Sequence, residues 1–444
     1  MTTTADISSA TKPRQASIRR VAAASFVGTS FEFYDHYIYG AAAAIVLPKL
    51  FFPESTPWTA LLLSFATYGV AFASRPLGAA IFGHFGDRVG RKNVLVATLL
   101  IMGLATFGIG LLPTHAQWGS AATTVLVALR FIQGLALGGE WGGAALMVNE
   151  YDPEGRRRGF LGGVVQAASP VGLLFANGVF SLVTWTVSPV AFFSWGWRVP
   201  FLASAILVAV GLYIRIGLSE TPVFAELDRT ETEPRAPIMQ VLTEYPKELV
   251  LSVGSRVGSD IAWYVFAMFM LVYLPKELGL PASIGFTAIV IASAVQLFGV
   301  PFFGAMSDRF GRRPVLLFGA IGGMIWGFVF FWLLDTKSPT LIVLGSVIGM
   351  NFHAALWAPL ASFIPEMFPT RVRWTGASLG FQLAGLFGGA LAPIIATSLV
   401  ATYSSGYPVA LYLAAGLMVI VISVLAARET SEVNLRDVDA QRRT

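Results

Sequence analysis

The sequence predicts an all-α polytopic membrane protein with twelve transmembrane helices in two six-helix repeats around a central cavity. Three observations point there. Hydrophobic residues make up 55% of the 444-residue chain and charged residues only 12%, about half the share usual in a soluble domain. Apolar segments long enough to cross a bilayer recur, centred near residues 35, 70, 102, 135, 172, 207, 260, 295, 324, 352, 386 and 417. A motif is written twice, as Gly83-His84-Phe85-Gly86-Asp87-Arg88-Val89-Gly90-Arg91-Lys92 and as Gly304-Ala305-Met306-Ser307-Asp308-Arg309-Phe310-Gly311-Arg312-Arg313, with its two aspartates half the chain apart.

Each motif copy falls where one apolar stretch stops and the next begins, which is where a membrane helix leaves the bilayer, turns in water and returns. The chain is therefore one membrane unit duplicated, the construction on which transporters are built. A polar tail over 1–17 lacks the apolar core of a cleavable signal, so the first helix itself is expected to direct insertion. An N-terminal bundle over 18–217 follows. A hydrophilic linker over 218–247, with Pro222, Pro234 and Pro237, leads to a second bundle over 248–427 and a tail over 428–444. Weak echoes support the duplication: Ser219-Glu220-Thr221 after the sixth helix matches Arg428-Glu429-Thr430 after the twelfth, and Glu150 stands before Arg156 as Glu366 stands before Arg371.

The net charge of +5 reports topology rather than a nucleic-acid partner. Basic clusters at Arg19-Arg20, Arg88 to Lys92, Arg156 to Arg158, Arg309 to Arg313, Arg371 to Arg373 and Arg442-Arg443 all fall on one side of an even-numbered bundle. The other side offers little beyond Lys49, Arg198, Lys276 and Lys337. The positive-inside rule then places both termini in the cytoplasm. The chain has no cysteine, and four scattered histidines form no ligand spacing, which argues against disulfides, thiol chemistry and a metal centre. No cofactor motif and no nucleophile beside its base appears, so an enzyme is not expected. The only energy source implied is a proton gradient.

Twelve helices, the six-plus-six repeat and the loop motif resemble the major facilitator superfamily over nearly the whole chain. That resemblance implies that the first, fourth, seventh and tenth helices line a central cavity while the third, sixth, ninth and twelfth face lipid. The intramembrane charges fall in with it. Glu32 and Asp35 lie on the first helix, Arg130 and Glu140 on the fourth, and Arg256 and Asp260 on the seventh, while the tenth carries Asn351 and His353. Ionised groups in hydrocarbon are costly and mark pathways. Arg75, before Pro76 on the second helix, is the exception, with a stem long enough to snorkel to the interface.

Glu32 and Asp35, three apart, share a helix face, with Tyr39 on the same stripe. Two buried carboxyls cannot both ionise cheaply, so at least one is a candidate proton carrier. Arg130 shares a stripe with Gly134, Gly138 and Gly142, small residues that let another helix approach, and Glu140 lies about 80° off it. Arg256 and Asp260, four apart, can pair within one turn. An acidic substrate has its natural partner in Arg130 or Arg256, since guanidinium stays charged and grips carboxylate with two donors. Proton coupling is therefore expected of Asp35, Glu32, Glu140 and Asp260. Substrate contact is expected of Arg130, Arg256, Tyr34, Trp141, Trp263, Tyr264, Asn351 and His353. Tyr37 and Trp357 lie on the same helices.

In the loop motif, Asp87 can cap a neighbouring helix, while Arg88, Arg91 and Lys92 can reach Glu150 or Glu366. Gly83, Asp87, Arg88, Arg91, Asp308, Arg309, Arg312, Glu150 and Glu366 are thus expected to form a gate that closes the cytoplasmic side.

A narrower resemblance rests on Gly28-Thr29-Ser30-Phe31-Glu32-Phe33-Tyr34-Asp35-His36-Tyr37-Ile38-Tyr39-Gly40, Phe82 to Asp87, Gly138-Gly139-Glu140-Trp141-Gly142-Gly143 and Ser194-Trp195-Gly196-Trp197-Arg198-Val199-Pro200-Phe201. These segments are similar to those of the bacterial metabolite:proton symporters, whose members carry shikimate, 2-oxoglutarate, citrate, or proline and betaine. The chain looks nearest to the shikimate type. Phe33 and His36 stand where that family usually has tryptophan and phenylalanine. The resemblance implies proton-coupled uptake of a small organic acid across the bacterial inner membrane by a monomer, with a zwitterion or a di- or tricarboxylate as the alternative cargo.

Overall fold

The computed structural model describes residues 18–89, 91–138, 157–216, 237–369 and 372–433, and at 18–25, 80, 83–89, 91–93, 95, 207 and 214–216 the backbone alone. Every described element is helical. In the N-terminal half the long helices are α1 (Ile18–Ile45), α2 (Pro57–Val89), α3 (Arg91–Leu111), α4 (Ser120–Gly138), α5 (Arg158–Thr186) and α6 (Val199–Ile216). In the C-terminal half they are α7 (Pro246–Met268 continued by Met270–Lys276), α8 (Ala282–Phe310), α9 (Arg312–Asp335), α10 (Pro339–Glu366), α11 (Arg373–Tyr403) and α12 (Tyr407–Ala426). All twelve predicted centres fall inside them. Among the described residues nine helices are long and apolar enough to cross a bilayer alone, the bent α7 makes a tenth, and α1 and α3 complete the twelve.

The outer faces explain why the bundle needs a bilayer. Leu104, Phe175, Ile206, Phe298, Ile325 and Ile422 stand out from it, Phe298 with 75% of its surface bare. In water each such side chain costs about 25 cal/mol per Å² of apolar area, and lipid removes that cost. Within the N-terminal half α1 packs on α5, α2 on α4 and α3 on α6. In the C-terminal half α10 packs on α8 and α9, and α12 packs on α7 and α9. The halves meet along α5 against α8 and α2 against α11. The glycine stripe of α4 does what its spacing predicts: Gly134 and Gly138 lie on the backbone of α2 at Ala71 and Arg75.

Two irregular turns shape the middle of the C-terminal half. The backbone of α7 widens into a π turn at Tyr264–Met268 and then bends by 44°, and α11 widens likewise at Gly385–Ala390. Such turns shift the register of side chains on a helix and occur disproportionately at functional positions.

The motif's glycines have separate causes. Gly304 on α8 lies against the Gly159 carbonyl and Gly163 of α5, leaving no room for a Cβ. Gly311, between α8 and α9, holds φ 97°, a backbone region open chiefly to glycine.

Candidate functional site

The central cavity lies between the halves and, among the described residues, is lined by seven helices rather than four. Glu32, Phe33, His36 and Tyr37 come from α1, Tyr68, Phe72 and Arg75 from α2, Leu137 from α4 and Ser169 from α5. Arg256, Asp260, Trp263 and Tyr264 come from α7, His353 and Trp357 from α10, and Phe381, Gln382 and Gly389 from α11. Among the described residues helices α3, α6, α8, α9 and α12 contribute no wall. Contacts between halves bound the cavity at both ends, by Phe65 against Tyr264 at 5.9 Å and Phe180 stacked on Phe286 at 5.8 Å away from the loop motif, and by the motif itself at the other.

Arg256 is buried, pairs with Asp260 (Nη2 to Oδ1, 3.1 Å) and donates to the Phe381 carbonyl. Asp260 Oδ2, the Trp263 indole N–H and Gln382 Oε1 are buried without partners among the described residues, facing the same space. Arg75 does not snorkel: it is buried, with its guanidinium 4.1 Å over the Phe72 ring and Nη2 3.4 Å from His36 Nδ1. Pro76 after it removes one backbone donor from α2. Glu32 stands within electrostatic reach of Arg75. Among the described residues the cavity thus holds two guanidinium groups and two carboxyls. Its histidines each accept a hydrogen bond at Nδ1, His36 from Arg75 and His353 from Gln296 (2.8 Å), as neutral rings do. Aromatic faces form the remaining walls, with Tyr37 stacked on Trp263 at 4.7 Å and His353 on Trp357 at 5.7 Å.

Three expected site residues lie behind the wall. Asp35 is buried and accepts from Thr106 (Oγ1 to Oδ2, 2.9 Å), Gln133 donates to Thr106 (2.6 Å), and Arg130 donates to Gln133 (2.8 Å), so a side-chain relay joins α1, α3 and α4. Arg130 is 1% exposed and lies 3.8 Å over the Tyr39 ring instead of facing the cavity. Tyr34 donates to the Pro200 carbonyl at 2.7 Å. Asn351 is also away from the cavity, donating to Val347 and turned toward Gly299 of α8. Glu140, Trp141 and Glu150 lie outside the described residues, as do the side chains of Gly83, Asp87, Arg88 and Arg91. His36, Tyr68, Phe72 and Gln382 line the cavity without having been singled out as binding residues. Only Arg75, a charge inside a span, announced α2 in the sequence.

The second motif copy builds a network across the two halves. Asp308 accepts the Gly159 and Phe160 N–H groups at 2.7 and 2.8 Å, capping the start of α5. Arg312 is buried between Asp308 (2.7 Å), Ser307 (2.8 Å) and Glu366 (3.4 Å). Arg309 is exposed beside Phe310 and stands outside this network. Three members, Arg158, Glu429 and Thr430, were not foreseen. Arg158 reaches Glu366 at 3.6 Å and the Val433 carbonyl at 2.8 Å. Glu429 accepts the Arg312 and Arg313 backbone N–H groups at 2.9 and 3.0 Å, capping α9, while Thr430 donates to Glu366 at 2.7 Å. Burial opposes ionisation of Glu429, but its hydrogen bonds from the backbone of Arg312, Arg313, Ser431 and Thr430 outweigh that and hold the carboxyl below its ordinary range. The echo of Ser219-Glu220-Thr221 in Arg428-Glu429-Thr430 was the signal that marked it.

Comparison with known proteins agrees with this architecture. Residues 21–244 match the sugar (and other) transporter family and residues 253–443 the major facilitator superfamily. The inner membrane metabolite transport protein YhjE of Escherichia coli (strain K12) is 41% identical over 423 residues, 94% of this chain and 95% of that one. The shikimate transporter of the same organism is 37% identical over 417 residues, 93% and 95% of the two chains. Its proline/betaine transporter is 32% identical over 423 residues, 93% and 84%. Among solved structures, a D-xylose-proton symporter superposes with a TM-score of 0.73 at 19% identity, over 94% of this chain and 100% of that one, a likeness of fold. Twelve helices in two repeats around a charged, aromatic cavity, with relatives that are transporters and not enzymes, place the chain in the major facilitator superfamily, among its bacterial metabolite transporters.

Proposed function

We propose that the protein is a proton-coupled symporter that imports a small organic monocarboxylate, of which shikimate is the model, by alternating access. The charge count of the cavity carries this reading. With Arg75 and Arg256 ionised, Glu32 and Asp260 balance them, so the charges that the described residues bring to the cavity sum to zero. Protonating one carboxyl leaves a buried positive charge without compensation, which is costly at low dielectric, and one bound carboxylate restores neutrality. Proton and anion therefore each favour the other's binding. A zwitterion brings no net charge and gains nothing from the proton, and a di- or tricarboxylate needs further protons. The aromatic walls suit a cyclic body, and the unpaired Asp260 Oδ2 and Gln382 Oε1 suit hydroxyl donors on it.

Asp35 is a second seat for that one proton, behind the cavity and tied to Arg130 through Thr106 and Gln133. No bound cofactor enters the cycle: the proton gradient supplies about 1.4 kcal/mol per pH unit. The basic loops support both termini in the cytoplasm, the bacterial relatives support the inner membrane, and the reading takes the protein to act as a monomer.

The test is uptake of labelled shikimate into proteoliposomes under an inside-alkaline gradient, with quinate, benzoate, 2-oxoglutarate and glycine betaine as competitors. Accumulation abolished by an uncoupler and competed by the cyclic acids supports the reading. Competition by betaine alone overturns the cargo assignment, and uptake indifferent to the gradient overturns the coupling.

A further inference from the structure

We propose that Tyr68 and His36 form the link between Asp35 and the substrate cavity, a positioning pair through which protonation of Asp35 sets affinity for substrate. This inference rests on the symport reading above. Tyr68 is held from both sides. On the relay side its backbone carbonyl accepts from Arg130 Nη2 (3.4 Å), and its ring lies 5.5 Å from that guanidinium. On the cavity side its ring forms wall, and its hydroxyl meets His36 Nε2 at 2.6 Å. Asp35 and His36 are neighbours on α1, so helical geometry turns them about 100° apart, one toward Thr106 and the other toward the cavity.

The donor and acceptor roles follow from the chemistry of each group. A guanidinium only donates, so Arg75 makes His36 Nδ1 an acceptor, and the neutral ring then carries its hydrogen on Nε2. Tyr68 oxygen accepts that hydrogen. Its own hydrogen is left to donate, and among the described residues its hydroxyl has no partner besides His36. The hydroxyl is thereby set as a donor toward an acceptor on the substrate. When Asp35 takes a proton, Thr106, Gln133 and Arg130 lose the charge they are arranged around, and Arg130's hold on Tyr68 changes with it. The charges facing this link are Arg130 and Glu32 at Asp35, Arg75, Arg130 and Arg256 at His36, and Arg130, Arg75 and Asp260 at Tyr68.

The experiment measures KM for labelled shikimate at acid and alkaline external pH, together with shikimate counterflow, in reconstituted wild type, Tyr68→Phe, His36→Phe and His36→Gln. Wild-type KM is expected to change about fivefold or more between the two pH values. In Tyr68→Phe and His36→Phe KM rises at the pH where the wild-type value is lower, so that ratio falls to about one, while counterflow is slower but still measurable. His36→Gln, whose amide both accepts from Arg75 and donates to Tyr68, restores the ratio. A Tyr68→Phe variant whose KM rises by the same factor at both pH values overturns the link, because the hydroxyl is then only a substrate contact. Should Tyr68→Phe fail to fold, the histidine pair decides alone, and equal ratios in His36→Gln and His36→Phe overturn it. A wild type that takes up shikimate with no response to the gradient removes the symport reading itself, an outcome distinct from a normal wild type with unaltered variants.

Discussion

Replacing Asp308 by asparagine tests whether the loop motif holds the two halves together. The carboxylate accepts two backbone hydrogen bonds from the start of α5 and pairs with Arg312, and it is only 11% exposed, so solvent screens it weakly. Each charge-assisted bond is worth about 1.5–3 kcal/mol. Asparagine keeps one acceptor but turns an NH₂ toward donors, losing the equivalent of about one such bond, or ~2 kcal/mol. The separated arrangement then gains about 30-fold in weight, since 1.4 kcal/mol is a factor of ten. Because the natural chain contains no cysteine, a single Ser169→Cys on the cavity wall reports opening without background. A membrane-impermeant thiol reagent added from the motif side should label Cys at this position about 30-fold faster when Asp308→Asn is also present. Equal labelling rates in two equally folded proteins would refute the assignment of Asp308 as a closing contact.

Two further outcomes follow from the same geometry. Arg256→Gln removes the cavity's best-placed guanidinium and leaves Asp260 buried without its partner, a cost of about 3 kcal/mol, so KM for a carboxylate substrate should rise by about 100-fold. Lysine at this position should recover only part of that, because one ammonium cannot span Asp260 and the Phe381 carbonyl as the guanidinium does. Glu429 has a folded-state pKa below its unfolded one, so its stabilisation is fully present above the ordinary carboxylate range, about pH 4.3, and is lost as pH falls through the depressed value. The difference in thermal unfolding temperature between wild type and Glu429→Gln in detergent should accordingly be largest near neutrality and shrink on acidification.

Architecture was legible in the sequence because each spanning helix needs its own apolar run and because the duplicated motif marks the chain as a repeat. The contacts of the second motif copy were legible for a related reason. Gly304, Gly311 and Asp308 answer to backbone constraints, close approach, positive φ and an α5 N-terminus, which few other residues meet. Side-chain direction within a helix was less legible. Glu32 and Asp35 share a broad face by spacing, but their 60° offset suffices to put one on the cavity wall and the other behind it, against Thr106. Arg130 follows its glycine stripe into the contact with α2 and so lands on Tyr39. Tyr68, His36 and Gln382 carry no periodic or charge signal, and their place at the cavity depends on how seven helices converge.

The most direct test of the central claim, one proton moved with one carboxylate, is the response of shikimate uptake to membrane potential. Initial rates are measured in proteoliposomes with the pH gradient fixed and a potassium diffusion potential varied. A monoanionic carboxylate and one proton together move no net charge, so the rates should follow the pH gradient and stay unchanged as the potential is varied over about 100 mV. A rate that rises with an inside-negative potential, for which each net positive charge would gain about 2.3 kcal/mol per 100 mV, contradicts the one-to-one count and with it the charge argument for the cavity.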